Sequence, residues 1–493
     1  MNTIIEELKK NQNVRSNLSK LRQCIKNEES KAQCISELRG YAELFVRFLK
    51  DEDPKTRKNA ALLLGDLECQ EAMGPIWETF RKEGTEFVKG SYLEALSKLD
   101  TSEIIEELLQ VLKELTETEE TEENRKHVQE QLRALRKIQI AHEGITKHRF
   151  CNHPGTEVIL TCNREQRDTL RKSISTGRVS THPLGILVET DEIGSILSIR
   201  TYRELLFPIH TGHLLEPEPR ELAKELWESD FYKLLCDLHR EPGPFYFRIE
   251  CKNQMTLEER SAFSRKLSGE LERLSKGALV NSTTDYEVEL RLVANKEGKL
   301  LPCMKLYTIK NKRFAYRKNA IAASIHPATA ALMMELAEPY LKEKAQIMDP
   351  FCGVGTMLIE RNKKLPAREM YATDIFGEAI EKGRENALLA GADIHFIHRD
   401  FFDFKHNYLF DEIITNMPVK GKRSKEEMDS LYSDFFEKVG IHLNPDAVII
   451  MYTNELAFVK KQLRLHKEFR LLEEHLMQKK NEFYLLIIGV RGE

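Results

Sequence analysis

The stretch Ala345–Glu360, AQIMDPFCGVGTMLIE, decides how this chain is read. Ile347 and Met348 have the apolar character of a buried strand, and Asp349-Pro350 turns the chain. Gly353-Val354-Gly355-Thr356 then makes a tight loop that opens a helix. Glycine lacks a Cβ, so a backbone built on it turns sharply and can lie against a ligand. The helix start that follows offers free N–H groups. Strand, glycine loop and helix in this order form the nucleotide-binding corner of a doubly wound α/β fold.

Outward from that corner, the pattern alternates strand and helix from about Arg317 to the end. Strands are predicted at Ala345–Phe351, Glu369–Ile375, His395–Arg399, Glu412–Asn416 and Ala447–Thr453, and then at Arg470–Met477 and Glu482–Val490. Such alternation implies a mostly parallel sheet with right-handed crossovers. The last two strands follow one another without a helix, which makes the final strand antiparallel. That ending is more typical of class I methyltransferases than of dehydrogenases.

Four polar residues close the predicted strands at one edge. Asp349 ends the first, within reach of a ligand's amino group. Asp374 ends the second, 19 residues after Gly355, where a carboxylate accepts both ribose hydroxyls, as NAD-type sites also require. Asp400 ends the third in HRDFFDF, placed to accept from an adenine N6 amine with Phe401 packing on the ring. Asn416 ends the fourth, at the carboxyl edge where ligands bind. A single such residue is ordinarily a turn former or a cap. Four in order, after the loop residues Phe351, Gly353, Gly355 and Thr356, point to one shared ligand. The loop lacks the third glycine of G-x-G-x-x-G, which argues against NAD, and no GxxxxGK[ST] is present for a P-loop.

DPFCGVGTMLIE, together with the upstream RKNAIAASIHPATAALMMELA (Arg317–Ala337), closely resembles RNA methyltransferases that carry a THUMP domain. The likeness is strong over 317–418 and loose over 245–310, and the N-terminal repeats lie outside it. It implies S-adenosylmethionine as cofactor and the exocyclic N2 of a guanosine as acceptor, in tRNA first and rRNA second. Members of that family use an [Asn/Asp]-x-Pro-[aromatic] turn after the fourth strand. Its side-chain oxygen and a backbone carbonyl accept the two amine hydrogens, and the ring stacks on the base. Here the turn is Asn416-Met417-Pro418-Val419. Asn416 keeps the acceptor, Pro418 keeps the turn, and Met417 supplies a main-chain carbonyl whatever its side chain. Val419 departs from the pattern. It removes a stacking face whose loss costs ~1–3 kcal/mol per base in single-strand binders, and the glycine expected next is displaced to Gly421. Two other readings stay open: a non-catalytic RNA- or protein-binding scaffold that retains the fold, and an amine methyltransferase acting on DNA or protein.

Net charge is −4, from 75 basic and 79 acidic residues, so local charge has to carry any nucleic-acid argument. Between Lys296 and Lys318 there are eight basic residues and one acidic, interleaved with Tyr307, Phe314 and Tyr316. Arg313, Arg317 and Lys318 are the candidate RNA contacts of that run. A second cluster, Lys420, Lys422, Arg423 and Lys425, follows Asn416 directly. Phosphate neutralisation beside a base-binding turn is the expected electrostatic arrangement. Either cluster by itself also fits a solvated loop.

Residues 1 to about 142 read as helical and repetitive. Asp53–Leu67 aligns with Thr85–Leu99, pairing Arg57 with Lys89 and Leu64 with Leu96, and a weaker third copy ends at Ile138 after the acidic run TETEETEE. A spacing of about 32 residues between helix pairs is that of α-solenoids, and the segments resemble short HEAT-type repeats; a plain helical bundle is the alternative. Near Thr146 the period changes to 2. GTEVILTC reads as strand, and GILVETDEIGSILSIRTY as a hairpin turning near Asp191-Glu192. A helix is predicted from Arg220 to His239, a strand at Phe245–Cys251, and a capping box at Thr256 and Glu259 before a helix reaching about Lys276. A further hairpin turns at Lys296-Glu297-Gly298.

The expected architecture is multidomain. It comprises HEAT-like α-helical repeats over 1–142, an α+β THUMP-like RNA-binding region over 146–316, and a C-terminal α/β, Rossmann-like class I methyltransferase domain over 317–493. The helical repeats are read as a platform for a protein partner. No apolar run approaches the ~20 residues that span a bilayer, and the charged start MNTIIEELKKNQ carries no signal-peptide core. The nine cysteines include no CxxC pair, a pattern of reduced cytoplasmic thiols that gives no support to a metal site. His326-Pro327 reads as a helix start and Cys352 as a small packing residue.

Overall fold

A computed structural model describes residues 2–26, 31–118, 121, 124–144, 147–241 and 243–491. Thr146, where the change of pattern is expected, and half of the acidic run lie outside the described residues. Two compact units are present, Met1–Arg149 with Ile209–Pro302, and Phe150–Pro208 with Cys303–Glu493.

In the first unit, the helices Pro54–Asp66, Glu86–Leu96 and Arg125–Glu143 pack in succession. Asp53 caps the first, its carboxylate accepting from the N–H groups of Lys55 and Thr56, with Pro54 at the first helical position. Gly65 lets two of these helices cross closely, because a Cβ there would stand 2.7 Å from Ala95 Cα. Arg57, on the first of these helices, donates to both oxygens of Glu83, at 2.9 and 2.8 Å. The same unit holds the strand Phe245–Lys252, parallel to both Leu279–Asn281 and Val288–Ala294. The Thr256–Glu259 capping box starts the helix Leu257–Leu274. The helix expected from Arg220 to His239 is two, Pro219–Glu228 and Phe231–Asp237. Ser229 leaves helical geometry between them, and its hydroxyl accepts from the Phe231 N–H at 3.2 Å.

In the second unit, Thr156–Thr161 pairs antiparallel with Gly185–Thr190 and with Leu205–Pro208. The hairpin expected to turn at Asp191-Glu192 is absent: Ile193–Ser198 is a helix, and the hairpin partner of Gly185–Thr190 is Arg178–His182. Thr190 Oγ1 accepts from the Glu192 N–H at 3.1 Å, which turns the chain out of the strand. Ile193 and Ile196, three residues apart, then bury the same helical face.

The rest of the second unit is a seven-stranded α/β sheet. Its strands are β1 (Gln346–Asp349), β2 (Glu369–Asp374), β3 (His395–His398), β4 (Phe410–Asn416), β5 (Leu443–Thr453), β6 (Phe469–Gln478) and β7 (Phe483–Val490). They lie in the order β3-β2-β1-β4-β5-β7-β6, with β1 to β5 parallel and both β7 against β5 and β6 against β7 antiparallel. The apolar strands are buried on both faces, as a parallel sheet requires. Ile347, Ala372, Ile414 and Ile450 enter one core, and Met348, Ile413, Ile449 and Met451 enter the other. Flanking helices include α1 (Pro327–Leu336), α2 (Thr356–Lys364) and α3 (Gly377–Ala390). Because the crossovers are parallel, Asp349, Asp374 and Asn416 all end strands at the same edge. Among the described residues no helix is long and apolar enough to cross a membrane.

Candidate active site

The glycine loop is tied to the neighbouring strand by its own backbone. The Cys352 N–H donates to the Thr373 carbonyl at 3.0 Å, Thr373 Oγ1 donates to the Pro350 carbonyl at 2.9 Å, and the Gly353 N–H donates to Asp374 Oδ2 at 2.8 Å. Gly355 has φ +76° and a Cβ there would meet Phe396 Cζ at 2.8 Å, so only glycine fits without rearrangement. It is the residue from which α2 starts.

Above this loop lies a cavity of about 570 Å³. Of the expected cofactor residues, Asp349, Phe351, Gly353, Thr356, Asp374, Asp400 and Phe401 line it, while Gly355 lies outside its lining. Asn416, Met417 and Pro418 line the same cavity, as do Val419 and Arg423.

Asp349 is 1% exposed. One oxygen accepts from the Phe351 N–H at 3.1 Å, and the other has no partner among the described residues. Burial pushes this carboxyl well above the ordinary range; the Phe351 N–H opposes the rise, and the charge of Asp374 adds to it. Asp374 accepts from Gly353 on one oxygen and from the Phe376 N–H at 2.9 Å on the other. Ile375 and Phe376, which follow it, are exposed apolar side chains on the cavity wall. Asp400 is exposed, and its carboxylate accepts from the Phe402 N–H at 3.0 Å. The Phe401 ring is almost wholly buried against Phe351 and Phe435, whereas Phe402 is only half-buried and also lines the cavity.

Across the cavity, the chain leaves β4 at Asn416 and is held by the Met417 N–H, which donates to the Tyr452 carbonyl at 2.9 Å. Met417's side chain is buried in the core and Val419 is half-exposed. Asn416 Nδ2 reaches the Ala323 carbonyl only at 3.5 Å. His326 also lines the cavity and caps α1, its Nδ1 accepting from the Ala328 N–H at 3.2 Å. Burial, then repulsion from Arg203, Arg317 and Arg313, lowers its pKa to about 4, so it is neutral near pH 7. Burial, with Asp349 and Asp374, pushes the Cys352 thiol well up, which removes it as a thiolate nucleophile.

The basic residues divide by orientation. Contrary to the expectation of a phosphate contact, the Arg313 guanidinium is turned inward. It donates to the carbonyls of Ile199, Tyr202 and Arg203 at 3.1, 2.7 and 2.7 Å and lies over the Tyr202 ring. Arg317 donates to the Ile325 carbonyl at 3.1 Å. Lys318 is exposed and pairs with Glu385 at 3.3 Å. Lys420 and Lys422 are exposed on the loop after Pro418, and Arg423 donates to the Val419 carbonyl at 3.0 Å. Arg203, Tyr452 and Phe483 also line the cavity. No sequence motif pointed to them, because they come from segments far apart in the chain.

Residues 315–481 match a family model described as UPF0020: RMKL-like, methyltransferase domain. Over 131 residues the chain is 30% identical to a tRNA (guanine(10)-N2)-dimethyltransferase of Methanothermobacter thermautotrophicus, covering 26% of this chain and 38% of that protein. It is 24% identical over 288 residues to ribosomal RNA large subunit methyltransferase K/L of Acinetobacter baumannii, covering 47% of this chain and 39% of that protein. The chain thus spans about two fifths of the length of each of these relatives. The crystal structure of TrmN from Thermus thermophilus overlaps 68% of this chain and 99% of its own, with 19% identity and a TM-score of 0.49. Over 315–481 the chain is thus similar to a methyltransferase domain.

Proposed function

We propose that the protein is an S-adenosylmethionine-dependent RNA methyltransferase that modifies the exocyclic N2 of a guanosine, in tRNA first and rRNA second. The observation that carries this reading is the placement of Asn416-Met417-Pro418 and the Asp374-tethered glycine loop on one cavity. The names of the two curated relatives, both RNA methyltransferases, support it.

The residues fit the cofactor. The buried, partnerless oxygen of Asp349 is complementary to an ammonium group. Asp374, which tethers the loop, would accept the ribose hydroxyls. The exposed Ile375 and Phe376 and the half-buried Phe402 offer apolar faces to an adenine, with Asp400 as acceptor for its amine. When bound, the cofactor supplies an electrophilic methyl group on a sulfonium.

The chain's own part is alignment. Asn416 Oδ1 and a main-chain carbonyl of the Asn416–Pro418 turn accept the two hydrogens of the target amine and hold its nitrogen in one plane. Positive charge developing on that nitrogen is stabilised by the same acceptors, and the proton it must shed passes to water, so no strong base is needed. Lys420, Lys422 and Arg423 neutralise RNA phosphates beside the turn, and Lys318 adds to them. Residues 146–316 act as a THUMP-like RNA-binding region, and the HEAT-like helices of 1–142 as a platform for a partner protein.

A second reading, methyl transfer to an amine of a protein side chain, is favoured by one observation: Val419, half-exposed on the cavity, gives a base no ring to stack on. Nucleoside mass spectrometry of tRNA and rRNA from cells with and without the gene separates the two. Loss of an N2-methylated guanosine on deletion supports the leading reading. Unchanged nucleosides in both RNA classes overturn it.

A further inference from the structure

A guanine held at Asn416 needs an aromatic face, and position 419 does not provide one. The sheet supplies a ring one strand away. Asn416 on β4 is the register partner of Tyr452 on β5. Two residues earlier, Ile414 and Ile450 are also partners and pack in the same core, so Asn416 and Tyr452 share a face of the sheet. The Tyr452 ring is stacked on Phe483, with centroids 4.9 Å apart and an interplanar angle of 15°. Tyr452 is buried; Phe483, the first residue of β7, is only half-buried, and both line the cavity with Asn416.

This aromatic pair is braced. Gln478 and Phe483 are register partners at the end of the β6–β7 hairpin. Asn163 Nδ2 donates to the Met477 carbonyl at 2.7 Å, and Gln166 Nε2 donates to the Leu476 carbonyl at 2.9 Å, which pins the end of β6. Arg203 completes the wall. Its carbonyl accepts from Arg313 at 2.7 Å and its N–H donates to the Thr161 carbonyl at 2.9 Å, so its backbone is fixed. Its guanidinium is exposed on the cavity and has no acidic partner among the described residues. It lies close enough to His326 and Tyr452 for its charge to bear on both.

We propose that Phe483, backed by Tyr452, is the stacking face for the target base in place of the ring missing at Val419, and that Arg203 takes a phosphate flanking the target nucleotide. The inference rests on the reading of the site as an RNA-base methyltransferase. A ring fixed by an underlying ring offers its other face at little entropic cost, which suits a base drawn out of its stack. An unpaired guanidinium beside it provides the charge that a phosphate needs.

The test is steady-state methyl transfer from S-adenosylmethionine to total tRNA prepared from a strain lacking the gene. Phe483→Leu keeps apolar bulk and removes the ring. It is expected to raise KM for tRNA about 5- to 150-fold, the range that loss of one base–aromatic stack implies, with cofactor affinity unchanged. Phe483→Trp should recover most of the loss, and so should Val419→Tyr added to Phe483→Leu. Arg203→Met should raise KM and flatten its dependence on salt. Wild-type KM in Phe483→Leu overturns the inference while leaving the enzyme reading intact, and so does a loss that Trp does not recover. A wild-type protein that methylates neither this tRNA nor rRNA from the same strain overturns the enzyme reading and the stacking face together.

Discussion

The Gly353 N–H donates to Asp374 Oδ2 at 2.8 Å, so the carboxylate expected to meet the cofactor also fixes the loop on which the cofactor would lie. Its other oxygen holds the Phe376 N–H. Asp374→Ala removes both acceptors and frees a loop whose glycines already sit at φ +51° and +76°. Hydrogen bonds to a charged group are worth about 1.5–3 kcal/mol each, so affinity for S-adenosylmethionine should fall at least about tenfold in calorimetry. Asp374→Asn, which keeps one acceptor, should fall between. Unchanged affinity in Asp374→Ala would remove the residue from the site.

Asn416 carries a different expectation, because nothing in the glycine loop depends on it. Among the described residues its amide reaches only the Ala323 carbonyl, at 3.5 Å. Asn416→Ala should therefore leave cofactor affinity and folding unchanged and lower kcat for methyl transfer about 10²–10³-fold, the usual effect of losing one aligned polar group at a reacting centre. Normal turnover in that variant would show that the amine is held elsewhere.

The sequence showed the parallel sheet clearly, since β1, β2 and β4 each carry buried apolar residues and end in Asp or Asn, and that punctuation also marked the site's edge. Local pattern was a poorer guide elsewhere. Gly185–Tyr202 reads as a hairpin by its alternation, yet the isoleucine spacing after Asp191 is helical, and a Thr190 side-chain turn decides between them. Arg313 belongs to a basic run, but a charge count does not say which way a guanidinium turns, and this one faces carbonyls. Arg203 and Phe483 carry no signal at all. Only strand register and the fold of the second unit bring them beside Asn416.

Asp349 leads to a proton-linkage prediction. Its folded carboxyl is pushed well up by burial, so in the free protein it holds a proton to higher pH than an ordinary aspartate does. A cationic amino group placed at its partnerless oxygen favours the ionised form. Binding S-adenosylmethionine should then release a proton, and affinity should rise with pH until the free carboxyl has ionised. Calorimetry in buffers of different ionisation enthalpy measures the release directly. Asp349→Asn should abolish both the release and the pH dependence, and identical proton counts in the two proteins would exclude the linkage.

The buried Glu83 of the helical region gives a prediction with the opposite sign. Burial raises its pKa, but donation from Arg57, the Thr85 N–H and Tyr92 outweighs that and brings it from 4.5 to about 2. A carboxylate with a depressed folded pKa stabilises the native state fully above its unfolded pKa. That stabilisation is lost as pH falls from about 4.5 toward about 2. Hydrogen exchange along the helix Pro54–Asp66, which carries Arg57, should accordingly quicken over that window, beyond the intrinsic pH effect. Glu83→Gln should flatten the trend. Arg57→Met, which leaves the buried carboxylate without its cation, should cost about 3 kcal/mol or more near neutral pH, and part of that cost should disappear in acid as Glu83 takes up a proton. A loss that is constant from pH 7 to pH 3 would mean that the pair acts through packing and not through charge.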